Sequence, residues 1–182
     1  MGWVMRKALG LASVTMNVKH YLDDAKTPHI DINLTLTGGL AGTTENRTLD
    51  SQRRSHEDHI FGLVEGYSRY TSISAITSAE TELTAEDVAY LQEGWLEEST
   101  GEGAVVESFV VSKPKEGSGV VPWTGRQIWG FQEVKGERRY ARNCVIRKGE
   151  EVVRVRLVYD YLGMVKGMAG GKEEEEDDGL AY

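Results

Sequence analysis

Arg142 stands between Tyr140 and Cys144 in a strand-like run, Glu137 to Arg147, with two further runs beside it, Arg126 to Val134 and Glu151 to Tyr161. A guanidinium among aromatic side chains brings five hydrogen-bond donors and a fixed charge to an apolar setting, and would anchor a carboxylate, a carbonyl or a phenolate. Its surroundings depend on how the three runs pair. They are joined by Lys135-Gly136 and Lys148-Gly149, and two-residue turns ending in Gly favour tight hairpins. Residues directly opposite across an antiparallel pair share a face.

Counting outward from the first turn sets Phe131 opposite Tyr140, Trp129 opposite Arg142 and Gln127 opposite Cys144. Counting from the second sets Cys144 against Val153, Arg142 against Val155 and Tyr140 against Leu157. One face is then apolar or aromatic, with Arg142 its only charge. The other holds Arg126, Gln132, Arg139, Asn143, Arg154 and Arg156, the pattern of a solvated surface. A cation aimed into an aromatic interior needs a partner, because an unpaired buried charge is expensive. That partner is either a ligand's polar group or an inward Glu, unless a slipped register turns Arg142 outward. For the ligand reading the candidate binding residues are Arg142, Tyr140, Tyr159 and Gln127, with Trp129 and Phe131 as apolar wall.

Other reactive residues suggest less. His56-Glu57-Asp58-His59 has ligand-type side chains, but residues three apart on a strand point to opposite faces, so a polar turn or strand start fits better than a metal site. His20 and His29 have no evident partners for Ser/His/Asp or Cys/His catalysis. Cys144 reads as a packed thiol, since no helix N-terminus activates it. Gly117-Ser118-Gly119 lacks the lysine, strand and helix of a phosphate cradle. No metal or cofactor is expected.

The elements that must position these residues are mostly strands. Trp3 to Ala12 has helical spacing. From Val14 the period changes to two, and Ile30, Ile32, Leu34 and Leu36 alternate with polar residues up to Gly38-Gly39. A Thr-rich strand, Ala41 to Leu49, follows, then two weaker strands in His59 to Ile73 broken near Gly66. Thr84 with Asp87 three residues on resembles a capping box and opens a helix within Ala85 to Leu96. Val105 to Val111 suits a strand buried on both sides, and Lys113 to Pro122 is a Gly/Ser/Pro linker. Nine strands in mostly consecutive antiparallel order suit an all-β, up-and-down barrel, which leaves no exposed edge.

A chain of 182 residues with 40% hydrophobic content fits one domain. No run reaches the length of a membrane helix and no signal peptide is evident. A single Cys suits a reducing compartment, so the expected location is cytoplasmic, and the sequons at Asn33 and Asn46 read as chance. Of the net charge of -8, Lys172 to Asp178 supplies -5, leaving -3 elsewhere. That balance argues against a nucleic-acid groove. Residues 167–182 read as a disordered acidic tail behind a barrel domain over 1–166.

Gly2-Trp3-Val4-Met5-Arg6-Lys7, followed by Leu11-Ala12, resembles the second lid helix of intracellular fatty-acid-binding proteins, of the calycin or lipocalin-like class. The strands match in order. The stretch His29 to Asp50 and the segment from Trp129-Gly130-Phe131 through Tyr159-Asp160-Tyr161-Leu162-Gly163 also resemble an uncharacterised fungal group related to that fold. The resemblance implies a ten-stranded barrel around a lipid cavity, with Tyr159 facing inward. It also implies that the chain begins inside the lid, so that the first strand and helix are absent. The family's two cavity arginines would fall near Phe131 and Leu157, where neither is present, and Arg142 on the neighbouring strand would substitute. The implied function is non-covalent binding or carriage of a hydrophobic small molecule, a fatty acid or polyketide-like metabolite. The alternative is a cofactor-free enzyme, a cyclase, isomerase or dehydratase, acting in the same cavity.

Overall fold

The computed structural model describes residues 14–36, 40–58, 62–78 and 83–164. The expected N-terminal helix, Trp3 to Ala12, and the acidic tail from Gly167 lie outside them. Nine strands run in chain order: β1 Val14–Leu22, β2 Pro28–Leu36, β3 Leu40–Thr48, β4 Arg54–Asp58, β5 Gly62–Thr71, β6 Val105–Ser112, β7 Trp123–Val134, β8 Glu137–Lys148 and β9 Glu151–Tyr159. Every pair of hydrogen-bonded neighbours is antiparallel. One helix, α1, Ala85–Gln92, lies between β5 and β6.

The mostly-β antiparallel expectation holds, but closure into a barrel does not. Among the described residues the strands form two sheets, β1-β2-β3 and β4 to β9 in sequence order. The ladder breaks between β3 and β4, where Ser51 takes a positive φ of 65°. The Asp50 carboxylate also accepts from the backbone N–H of Gln52 at 3.0 Å and from both terminal nitrogens of Arg54, at 2.7 and 2.6 Å. A side-chain-closed turn of this kind redirects the backbone instead of extending the ladder. The hydrogen bonds from Arg54 hold the Asp50 carboxyl down at about 2. The chain then crosses to the large sheet, where Asp50 bridges to Arg69.

Two cores result, one on each face of the large sheet. Ile30, Ile32 and Leu49 pack with Val106 and Trp129 between the sheets. On the opposite face Leu91 of α1, with Ile73, Ile76 and Leu83, packs on Val105, Ile128 and Val145. β6, expected to be buried on both sides, is buried on both for this reason. The helix starts at the capping box expected from sequence: Asp87 N–H donates to Thr84 Oγ1 and Thr84 N–H donates back to the Asp87 carboxylate. It stops at Gln92, with Gly94 at φ 82° just beyond, in the left-handed conformation that ends helices. Trp95 therefore lies outside the helix, against Gly130, where an added Cβ would meet its ring at 3.1 Å.

The structure corrects three sequence-based expectations. Gly66 does not break a strand: β5 runs through it, and a Cβ there would lie 2.3 Å from the carbonyl oxygen of Phe109, so the glycine permits close strand pairing. The β8–β9 register is shifted by two, with Cys144 opposite Val155, Arg142 opposite Leu157 and Tyr140 opposite Tyr159. In the first hairpin Lys135 and Gly136 both have positive φ, as a type I′ turn requires; in the second Gly149, at φ 59°, is the first central residue, as in type II′, so the turn is Gly149-Glu150. A shift of two preserves the faces.

The third correction concerns the face read as solvated. Arg126, Gln132 and Asn143 are 2%, 0% and 2% exposed, because α1 and the segments around it cover that side. Asn143 Nδ2 donates to the carbonyls of Tyr90 and Glu93 at 3.1 Å, and Gln132 Nε2 donates to Glu93 O at 3.1 Å. These carbonyls belong to the last turn and the cap of the helix, where the intrahelical ladder runs out. At the other end buried Asp87 takes Arg154 at 2.7 Å and Arg147. Arg126 in turn lies 2.9 Å from the buried carboxylate of Glu107. The "polar" face is the docking surface for a helix inserted from elsewhere in the chain.

Candidate functional site

The first-hairpin register places Arg142 directly opposite Trp129 on the face that meets the small sheet. Its guanidinium carbon sits 3.9 Å from the Trp129 ring centroid and 5.6 Å from that of Tyr159, and the residue is 4% exposed. A cation over an indole face gains from the ring's negative face, more so when water is excluded. Tyr140 packs between Phe131 and Tyr159, with ring centroids 5.6 and 5.8 Å away. Gln127 accepts from the Trp129 indole N–H at 3.2 Å. The six residues singled out from sequence, Gln127, Trp129, Phe131, Tyr140, Arg142 and Tyr159, thus lie on one face and in contact. Gln127's role there is to hold Trp129.

Residues contributed by the small sheet escaped the sequence reading. β2–β3 pairing sets Glu45 opposite Ile32 and Arg47 opposite Ile30, so both face the large sheet. Glu45 Oε2 accepts from Arg47 at 3.1 Å and lies 3.7 Å from Arg142 NH1. Arg47 also donates to Ser108 Oγ at 2.8 Å, and its guanidinium carbon lies 5.5 Å from the Trp129 ring centroid. Met16 Sδ accepts from Arg142 at 3.7 Å. The signal was present in the alternation of β3, where Glu45 and Arg47 stand two apart and pair with buried isoleucines of β2. The Nε–H groups of both Arg47 and Arg142 are buried and have no hydrogen-bond partner among the described residues. Such donors are uncommon inside proteins.

Burial sets the protonation of the neighbours. It pushes the Tyr140 hydroxyl up to about 12 and the Cys144 thiol up to about 11, against the opposing pull of Arg142. Tyr159 is raised for the same reason. All three keep their protons at neutral pH. Cys144, 4% exposed, is a packed thiol. The apolar surface continues along β9, where Leu157 and Val155, opposite Arg142 and Cys144, are 40% and 37% exposed.

The remaining candidates lie apart. His56 is exposed on β4 and His59 is outside the described residues. His20 meets the Tyr70 hydroxyl at 2.6 Å and His29 meets Asp23 at 3.0 Å. Among the described residues no three His, Cys, Asp or Glu side chains gather as metal ligands, and no helix is long and apolar enough to cross a membrane.

No family profile matches the chain, and no solved structure does. Two curated proteins do match. The chain is 31% identical over 164 residues to a protein named probable pericyclase scpY from Mollisia scopiformis, covering 88% of this chain and 77% of that one. It is 28% identical over 164 residues to pericyclase pydY from an Acremonium species, covering 90% and 80%. At this identity and coverage the chain belongs to the family of these fungal pericyclases.

Proposed function

We propose that the protein is an enzyme that closes a ring in a hydrophobic, conjugated small molecule by a concerted pericyclic reaction, with Arg142 polarising the substrate. The observation that carries this reading is Arg142 itself, a buried guanidinium stacked on Trp129 whose Nε–H has no partner among the described residues. In a concerted closure such as the addition of a diene to an alkene, six π electrons become two ring σ bonds and one new π bond. Every atom is kept and no proton moves. Protonated Tyr140 and Cys144 suit such a step, since it uses no general base.

The reaction asks two things of a protein. The first is a folded, reactive conformer of a flexible chain; fixing one converts lost freedom into rate, with effects of up to about 7 to 11 kcal/mol in the best-aligned intramolecular systems. Trp129, Phe131, Tyr140 and Tyr159 supply the wall, and Gln127 keeps the indole in place. The second is withdrawal of electron density from one reacting partner. A donor on a carbonyl conjugated to the alkene does this, and a single preorganised donor of that type is worth about 10²–10³ in rate. Relatives named as pericyclases support turnover more than carriage of an unchanged ligand, which reverses the order suggested by the fatty-acid-binding resemblance.

The test is to incubate the protein with a synthetic linear diene bearing an alkene conjugated to a ketone, and to follow ring formation by chiral chromatography and mass spectrometry. The expected result is a product of unchanged mass, enriched in one stereoisomer, formed faster than in buffer. Recovery of bound, unchanged linear compound with the buffer rate of closure would refute the enzyme reading in favour of carriage.

A further inference from the structure

We infer that Glu45 and Arg47, carried by the small sheet, complete the site with Arg142 and fit it to a substrate whose polar end bears a single negative charge, an inference that takes the site, though not the reaction, from the reading above. Two guanidiniums, Arg47 and Arg142, share one carboxylate oxygen, at 3.1 and 3.7 Å. Only the shorter of these is a hydrogen bond; the longer is an ion pair without one. Among the described residues facing the cluster, Tyr140, Tyr159 and Cys144 stay protonated because burial raises all three. His20 on β1 is exposed at the rim and occupied by the Tyr70 hydroxyl of β5 at 2.6 Å. Ser68 and Ser108 are neutral and hydrogen-bonded to each other at 3.3 Å. The described cluster therefore carries one excess positive charge.

That excess lies where water has little access. Side-chain exposure is 5% for Arg142, 22% for Arg47 and 25% for Glu45. An uncompensated charge in such a place is unfavourable unless a counter-ion enters with hydrogen bonds of its own. Of the three buried Nε–H donors without a partner among the described residues, two, one on each sheet, belong to guanidiniums 3.9 and 5.5 Å from the same indole. A carboxylate or an enolate supplies one negative charge and acceptor oxygens. A neutral head leaves the charge unbalanced, and a dianion overshoots it. Glu45 is then a positioning residue: it holds Arg47 and competes with the substrate's anion for Arg142.

Calorimetric titration with two saturated probes that cannot cyclise, dodecanoate and dodecanol, tests this independently of any turnover. Dodecanoate is expected to bind at least about tenfold more tightly, the scale of hydrogen bonds to a charged group. Arg142→Gln and Arg47→Gln should each weaken dodecanoate by about tenfold or more and leave dodecanol unchanged, whereas Arg47→Lys, which keeps the charge, should retain selectivity. Glu45→Gln should tighten dodecanoate and leave dodecanol as it was. Equal affinity for the two probes, or no binding of either, overturns the inference. So does a Glu45→Gln protein that melts like the parent yet loses both probes by the same factor, which would make Glu45 a structural brace alone.

Discussion

On the face of the large sheet covered by α1, Asn143 and Gln132 spend their amides on the helix's terminal carbonyls, and Asp87 is held by Thr84, Arg147 and Arg154. On the face covered by the small sheet, Arg142 and Arg47 share Glu45 and keep a buried Nε–H each without a partner among the described residues. Both faces bury charge next to apolar side chains. Polar groups whose donors are consumed within the fold dock an element, whereas donors left over beside an aromatic surface are what a ligand site offers. Burial alone does not separate the two, since Asn143 and Arg142 are 2% and 4% exposed. Nor do unpartnered polar atoms alone, since Arg126 Nε and Glu107 Oε1 on the α1 face also lack hydrogen-bond partners among the described residues; what sets the small-sheet face apart is that both of its guanidiniums lie against one indole.

The comparison breaks most severely at Trp129, which belongs to the core and to the site at once. Trp129→Ala should cost about 3 to 5 kcal/mol of stability, as for large buried aromatics, and abolish turnover as well. Chemical denaturation checks the first part, and ring formation by the folded fraction checks the second. A stable, active variant would show that the indole is not the surface on which Arg142 is held.

Asp87→Asn sharpens the comparison from the other side. Losing the cap and its paired guanidiniums should cost about 2 kcal/mol, while turnover per folded molecule stays unchanged. Burial pushes the Asp87 carboxyl up, but hydrogen bonds from the Thr84 backbone, Arg147 and Arg154 outweigh it, and the net lies below the ordinary 3.8. A depressed carboxyl stabilises the fold above its ordinary value and loses that contribution as pH falls through the folded one. Melting temperature of the parent should therefore drop on acidification below about 4, and the Asn variant should show a shallower drop.

The smallest effect concerns Tyr140. Its raised value means that the protonated form favours the fold: the contribution is present below the ordinary 10 and fades as pH rises toward about 12. Melts should be flat from neutral to mildly alkaline pH and then decline. Tyr140→Phe should soften that decline without changing the neutral-pH rate by more than a few fold. A large rate loss in this variant at neutral pH would give the hydroxyl a part in the chemistry.

How much of this was legible in the sequence follows from which interactions are local. The β7–β8 register was, because Lys135-Gly136 places its glycine where a type I′ turn needs it, and Trp129 against Arg142 follows by counting. The β8–β9 register was off by two because Gly149 serves as the first central residue, yet Arg142 kept its face, since side-chain direction repeats every two residues. The helix start at Thr84 was visible in its capping box. What covers each face was not, because it is decided by residues distant in the chain. Gln132 and Asn143 have the look of a solvated row until the end of α1 docks on them, as Arg126 does until it meets Glu107, and Arg154, whose partner is Asp87, looks like free surface for the same reason. Glu45 and Arg47 were missed because the break at Asp50 to Arg53, which lets the small sheet lie across the large one, has no strong sequence signature. That same break divides the nine strands into two sheets among the described residues, where no closed barrel is found.

The most direct test of the central claim sets Arg142→Leu beside Asp87→Asn and measures, for each, the rate of ring formation per folded molecule and the melting temperature. The account predicts a crossed result: Arg142→Leu loses about 10²–10³ in rate with a melting temperature near the parent's, and Asp87→Asn keeps the rate and melts earlier. If both variants lose rate in proportion to lost stability, or Arg142→Leu closes the ring as fast as the parent, then Arg142 serves the fold as Asp87 does and the face it occupies is not the site of chemistry.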